Sequence, residues 1–187
     1  MCLILSACAS APKQSSISDS DINSRSIYLK THTSWAFNGR LAYSHMGEGG
    51  SVKAHWQQNK TDVEIKLSSA LNIGSAVFTV KQGKARITSS DGSVREGEPE
   101  QLLQNLLNSP IPYVTLIHGL RADWVGISDA AITWQDSLPT QVDAQGWTWQ
   151  YQEWHSNPAV LPRKIELSQG QTRIRIVIDQ WLEVAHD

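Results

Sequence analysis

The chain has 187 residues, 40% of them hydrophobic, and a formal net charge of −2. That is enough for one domain with a real core, and it argues against disorder and against a nucleic-acid binder, which needs a basic face. Eight tryptophans, spread from Trp35 to Trp181, fit either a Trp-rich β core or a Trp-lined cavity.

The two cysteines, Cys2 and Cys8, both fall in the first eight residues, so the folded part has no disulfide and no thiol nucleophile. Leu5-Ser6-Ala7-Cys8 resembles a bacterial lipobox, a signal peptide cut just before a cysteine that becomes lipid-modified. No basic segment precedes it and the apolar run is short, which places the true start upstream. Residues 1–8 are then a signal-peptide remnant ending at a lipidated Cys8. Residues 9–20, rich in Ser, form a flexible tether, and residues 21–187 form a single domain. A lipid on Cys8 means anchored to a membrane, not spanning it. Ala9 follows the cysteine, and by resemblance to bacterial lipoproteins the absence of Asp there makes the outer membrane the default destination.

Residues 17–34 are polar with sparse apolar positions and predict a helix. Trp35, Phe37, Leu41 and Tyr43 then share one face of a strand, and Val52, Ala54 and Trp56 repeat the pattern after a loop over 46–50. Val63, Ile65 and Leu67 alternate with Glu64 and Lys66, and Ala76, Phe78 and Val80 alternate with Val77 and Thr79. Between those strands stand Ala70-Leu71-Asn72-Ile73-Gly74. A hairpin tip is usually polar, so Leu71 and Ile73 either fold back onto the core or are held out to meet something apolar.

Residues 84–89 and 93–96 flank the turn signal Asp91-Gly92 and predict another hairpin. Glu98-Pro99-Glu100 opens a helix with Leu102, Leu103, Leu106 and Leu107 on one face, stopped by Asn108-Ser109-Pro110. Residues 113–120 predict a short second helix, weakened by Gly119. The last third returns to strands: Ile132 with Trp134; Trp147, Trp149 and Tyr151; Ile165 and Leu167; and Ile174, Ile176 and Ile178 before Trp181. The expected fold is mainly β with α. About eleven antiparallel strands form one partly closed, half-barrel sheet, and helices cover an internal hydrophobic cavity on its open side.

No catalytic constellation is present. The six histidines show no close pair at metal-ligand spacing, and there is no phosphate loop or nucleophile elbow. Asp123, Asp129 and Asp136 predict a solvated loop, and His55 faces away from Trp56. The expectation is a binding protein that is not an enzyme, with no metal and no cofactor beyond the covalent lipid on Cys8.

Several segments in order and spacing carry a family resemblance. They are Gly39-Arg40-Leu41-Ala42-Tyr43 with Trp56-Gln57-Gln58; the aliphatic hairpin loop; 100–107 with Pro110-Ile111-Pro112; and Gly146-Trp147, Trp149 and Tyr151 with Leu161-Pro162 and 174–181. Together with the lipobox they resemble the LolB family, outer-membrane lipoprotein receptors of the lipoprotein localisation pathway. Two departures stand out. The family's Leu-Arg-x-Trp pattern after the Pro-x-Pro would put a Trp near Gly119, whereas here Trp124 comes later. The family loop tends to read Pro-Leu-Gly, two residues shorter than the loop here.

The resemblance implies an outer-membrane-anchored receptor facing the periplasm. It would accept lipoproteins from the periplasmic carrier LolA, shelter their acyl chains and insert them into the inner leaflet of the outer membrane. Leu71 or Ile73 would be the residue of a membrane-insertion loop. The candidates for the acyl cavity are Trp35, Leu41, Trp56, Ile65, Phe78, Trp147, Trp149 and Ile176. The partners would be LolA, client acyl chains and the membrane, with no nucleic acid, and the chain would be a monomer. The alternatives are a lipid-anchored periplasmic scaffold without an acyl cavity and an anchored hydrolase of cell-wall or lipid substrates.

Overall fold

In the computed structural model, the described residues are 17–69, 74–107 and 112–184. Cys8, most of the tether, and Leu71 and Ile73 lie outside them. The chain begins with a helix, α1 (Asp19–Thr31), capped by Ser18. The Ser18 hydroxyl accepts the Asp21 amide while the Asp21 carboxylate accepts the Ser18 amide, a reciprocal capping box. That cap starts the helix two residues inside the 17–34 expectation, within the last two residues of the segment read as tether.

Six strands follow as hairpins: β1 (Ser34–His45), β2 (Glu48–Asn59), β3 (Asp62–Ser69), β4 (Ser75–Lys81), β5 (Lys84–Ser89) and β6 (Val94–Gly97). Two helices, α2 (Pro99–Leu107) and α3 (Tyr113–Arg121), interrupt them. Five strands complete the chain: β7 (Ala131–Gln135), β8 (Leu138–Ala144), β9 (Trp147–His155), β10 (Leu161–Gln169) and β11 (Thr172–Leu182).

All eleven strands form one antiparallel sheet in the order β6-β5-β4-β3-β2-β1-β11-β10-β9-β8-β7. Every neighbour is consecutive in sequence except β1 and β11, which pair at the centre and join the first hairpins to the last. The edge strands β6 and β7 are not bonded to each other, so the barrel stays open. Strands in a sheet rotate by roughly 20–25° relative to their neighbours, and eleven of them coil around the face they bury. The chain must then pass from one free edge, β6, to the other, β7. The segment carrying α2 and α3 makes that passage, which puts the helices over the open side.

Strand alternation sets the two faces. Trp56, Ile65, Phe78 and Ile87 lie directly across from one another through β2 to β5, and all are buried. On the other wing Ile176, Ile165 and Tyr151 do the same. The strand β8 is not evident in the sequence pattern. Pro139 and the polar pair Thr140-Gln141 break its alternation, yet Leu138, Val142 and Ala144 are buried. Trp134 departs from its alternation with Ile132. The register shifts between Thr133 and Trp134, and the indole stands 57% exposed on the edge strand.

The helix α1 buries no residue completely. It is held through guanidinium groups. Arg25 donates to the carbonyls of Arg121 (3.0 Å) and Ala122 (2.9 Å), at the C-terminus of α3, where backbone carbonyls carry partial negative charge. Arg121 returns the contact, donating to the carbonyl of Leu29 at 3.2 Å. Arg25 also lies over the Trp154 ring and Arg121 over Trp35. Burial pulls the Arg25 guanidinium down to about 10, opposed by the nearby Asp123, so it stays charged at neutral pH.

Candidate functional site

The helices α2 and α3 cover an apolar space against the inner face of the sheet. Leu41, Trp56, Ile65 and Ile176 line it from β1, β2, β3 and β11. Phe37, Ala54 and Leu67 complete the sheet side, and Leu103 of α2 with Leu116 and Leu120 of α3 form the roof. No lining side chain is charged. The free volume is about 40 Å³. A single water needs roughly 10–15 Å³ on that measure, so the space holds a few waters and no acyl chain as it stands. A wider groove, of about 580 Å³, lies on the outer face of the sheet among Arg40, Lys53, His55 and Lys66. It carries charged and polar side chains beside apolar ones, and His55 there bonds Asn38 at 2.7 Å. The inner space, with no polar lining, has chemistry that suits an apolar ligand.

Four of the eight cavity candidates from the sequence, Leu41, Trp56, Ile65 and Ile176, thus come together. The other four face the same interior but meet other partners. Trp35 stacks on Trp56 with centroids 5.8 Å apart and planes 4° apart. Phe78 packs against Tyr113 of α3 at 6.4 Å. Trp147 and Trp149 are fully buried, and Trp149 lies directly beneath Gly119. The roof leucines are legible in sequence only as apolar helix faces. Their place over the cavity depends on the two free sheet edges that the helical segment joins.

A hydrogen-bond relay seats α3. The indole of Trp124 donates to the Tyr151 hydroxyl at 2.9 Å, and that hydroxyl donates to the carbonyl of Gly119 at 2.9 Å. Trp124 meets Trp149 edge-on at 5.3 Å. Burial raises the Tyr151 hydroxyl far above its ordinary range and keeps it protonated, as the relay requires. Tyr151→Phe strands the buried Trp124 indole N–H and removes one of the two hydrogen bonds to the Gly119 carbonyl, which keeps the Ala122 amide, and is expected to lower unfolding stability by about 1–3 kcal/mol in urea titration. A loss below about 1 kcal/mol would show that the relay does not hold α3.

Tyr113, at the start of α3, is the opposite case. Its hydroxyl is buried with no partner, and burial pushes it up to about 12. Removing an unpaired buried hydroxyl relieves a desolvation cost. Tyr113→Phe is therefore expected to stabilise the fold by roughly 1 kcal/mol, read as a higher urea midpoint. A lower midpoint would mean the hydroxyl has a partner in solution.

Among the described residues no group of three His, Cys, Asp or Glu side chains could hold a metal ion, and no helix is long and apolar enough to cross a membrane.

An open, coiled antiparallel sheet whose inner face is roofed by helices over an apolar space has a counterpart among solved structures. A putative outer-membrane lipoprotein-sorting domain from Vibrio parahaemolyticus superposes with a TM-score of 0.57 at 7% identity, covering 87% of this chain and 90% of that one. Sequence narrows the class. Residues 33–181 match the family model described as outer membrane lipoprotein LolB. The outer-membrane lipoprotein LolB of Xylella fastidiosa (strain 9a5c) is 35% identical, over 86% of this chain and 76% of the relative. That of Xanthomonas euvesicatoria pv. vesicatoria (strain 85-10) is 31% identical, over 95% and 90%. The chain belongs to the LolB family of outer-membrane lipoproteins, a localisation family rather than a family of enzymes or cofactor carriers.

Proposed function

We propose that this protein is an outer-membrane receptor facing the periplasm. It accepts lipoproteins from the carrier LolA, shelters their acyl chains between the sheet and its helical roof, and inserts them into the membrane. The observation that carries this reading is the wholly apolar lining beneath α2 and α3 in a member of the LolB family.

Energetics give the reason for such a shelter. Three acyl chains hold on the order of forty methylenes at about 0.8 kcal/mol each, so exposing them to water costs roughly 30 kcal/mol. A client must pass between apolar hosts without full exposure. With no ATP in the periplasm, direction comes from rising affinity: carrier, then receptor, then bilayer. The space of about 40 Å³ is a closed state, and uptake requires α2 and α3 to lift from the sheet. A lipid on Cys8 keeps the domain beside its target at high effective concentration, and Leu71 or Ile73 meets the bilayer.

The small free volume favours a second reading, a lipid-anchored scaffold whose interior is plain core. Titrating the full chain carrying Cys8→Ala with a fluorescent fatty-acid probe separates them. The receptor binds the probe saturably, and competition by unlabelled fatty acid displaces it. A folded protein that leaves the probe free is a scaffold, and one that turns over an acyl ester is a hydrolase.

A further inference from the structure

The end of the sheet that carries residues 70–73 also carries the tip of the β1–β2 hairpin. Strand pairing sets how far that tip reaches. Ser69 lies opposite Val52, and from Val52 the strand β2 runs four residues further, to Glu48. At about 3.3 Å per residue, that takes the tip roughly 13 Å beyond the level of Ser69.

Met46 stands at that tip. It is 71% exposed. Its φ is 51° and that of Gly47 is 88°, so both central residues of the turn are left-handed. This turn geometry favours Asn, Asp or Gly at the first position, and a Met there costs backbone energy. The thioether side chain also stands in water. Just behind the tip, Tyr43 lies half-buried opposite Gly50, an amphipathic ring of the kind that suits a membrane interface.

We propose that the Met46-Gly47 tip is a second membrane contact, entering the headgroup–acyl boundary of the bilayer beside the loop at 70–73. The inference rests on the reading above that this end of the sheet meets the membrane. Two separated contacts would fix the tilt of the domain on the bilayer, which a single loop on a flexible tether cannot do. An unbranched Met suits a contact with disordered chains, because it adapts its shape at little cost.

The test uses the full chain with Cys2→Ser and Cys8→Ser. An N-terminal hexahistidine tag holds it on vesicles of phosphatidylethanolamine and phosphatidylglycerol containing a nickel-chelating lipid. Those substitutions remove both native thiols, so a single probe position is introduced at will. Met46→Cys, Leu71→Cys and Ser137→Cys, the last in the turn at the opposite end of the sheet, are each labelled with an environment-sensitive dye. The expected result is a severalfold rise and blue shift of emission at 46 on vesicle binding, with no change at 137. A shift at 71 without one at 46 overturns the second contact and keeps the loop. A shift at 46 without one at 71 upholds the contact and removes the loop. No shift at either position overturns both. In parallel, Met46→Asn, which suits the turn, should fold normally and slow client release to vesicles severalfold. Unchanged release would contradict the proposal.

Discussion

Leu71→Glu combined with Ile73→Glu is expected to abolish delivery of clients to membranes while acceptance from the carrier continues. The proposed contact is apolar. Withdrawing one large aliphatic side chain from a bilayer forfeits about 1.5–3 kcal/mol, and placing a carboxylate there costs about 2.5–3.5 kcal/mol more. Even one such change amounts to about 4 kcal/mol or more, roughly a thousandfold in the population of the inserted state. Both residues lie between Ser69 and Gly74, at the end of a hairpin whose paired strands stop at Ser68 and Ser75. The fold should therefore survive, and the loss should fall on release alone. Release is measured as client moving from the receptor to vesicles, and acceptance as client moving from carrier to receptor. If the two single variants and the double variant all release normally, the loop plays no part in delivery.

Gly119→Ala carries the largest expected effect on stability, and its sign separates two physical effects. By helix propensity alone, Ala should stabilise the interior of α3 by about 1 kcal/mol. Packing opposes this. A Cβ at position 119 would overlap the six-membered ring of Trp149, a side chain with 0% exposure. The ring is fully buried and also meets Trp124 edge-on at 5.3 Å, which leaves it little room to shift. Overpacking of this kind costs about 3 kcal/mol, against a typical total stability of 5–15 kcal/mol. The urea midpoint should fall sharply, and the Trp124–Tyr151–Gly119 relay should break with it. A raised midpoint would mean that α3 does not sit on Trp149.

Much of the fold was legible because antiparallel hairpins write themselves locally. The alternation at Val63, Ile65 and Leu67, and the Asp91-Gly92 turn, predict strands and connections that the structure contains. The elements that escaped did so for physical reasons. A Pro and two polar residues interrupt the alternation of β8, which is strand because β7 and β9 pair with it on both sides. The Gly49-Gly50 pair reads as loop, yet both residues lie within β2, paired with Ser44 and Tyr43. The exchange between Arg25 and Arg121 joins residues 96 positions apart, and nothing local announces it.

The site was legible to the same depth. Periodicity tells which way a side chain faces, so Trp35, Trp147 and Trp149 read the same as Trp56. It does not tell what lies above each one. The path of α2 and α3 decides that. Gly119, a weakness in the helix when read from sequence, is what lets α3 approach the Trp149 ring.

The most direct test of the central claim is transfer. The full chain carrying Cys8→Ala would be incubated with LolA loaded with a labelled lipoprotein, and the two proteins then separated. The account predicts that the label moves to this protein and stays on it until membranes are added. Label remaining on LolA, with this protein shown to be folded, would contradict it.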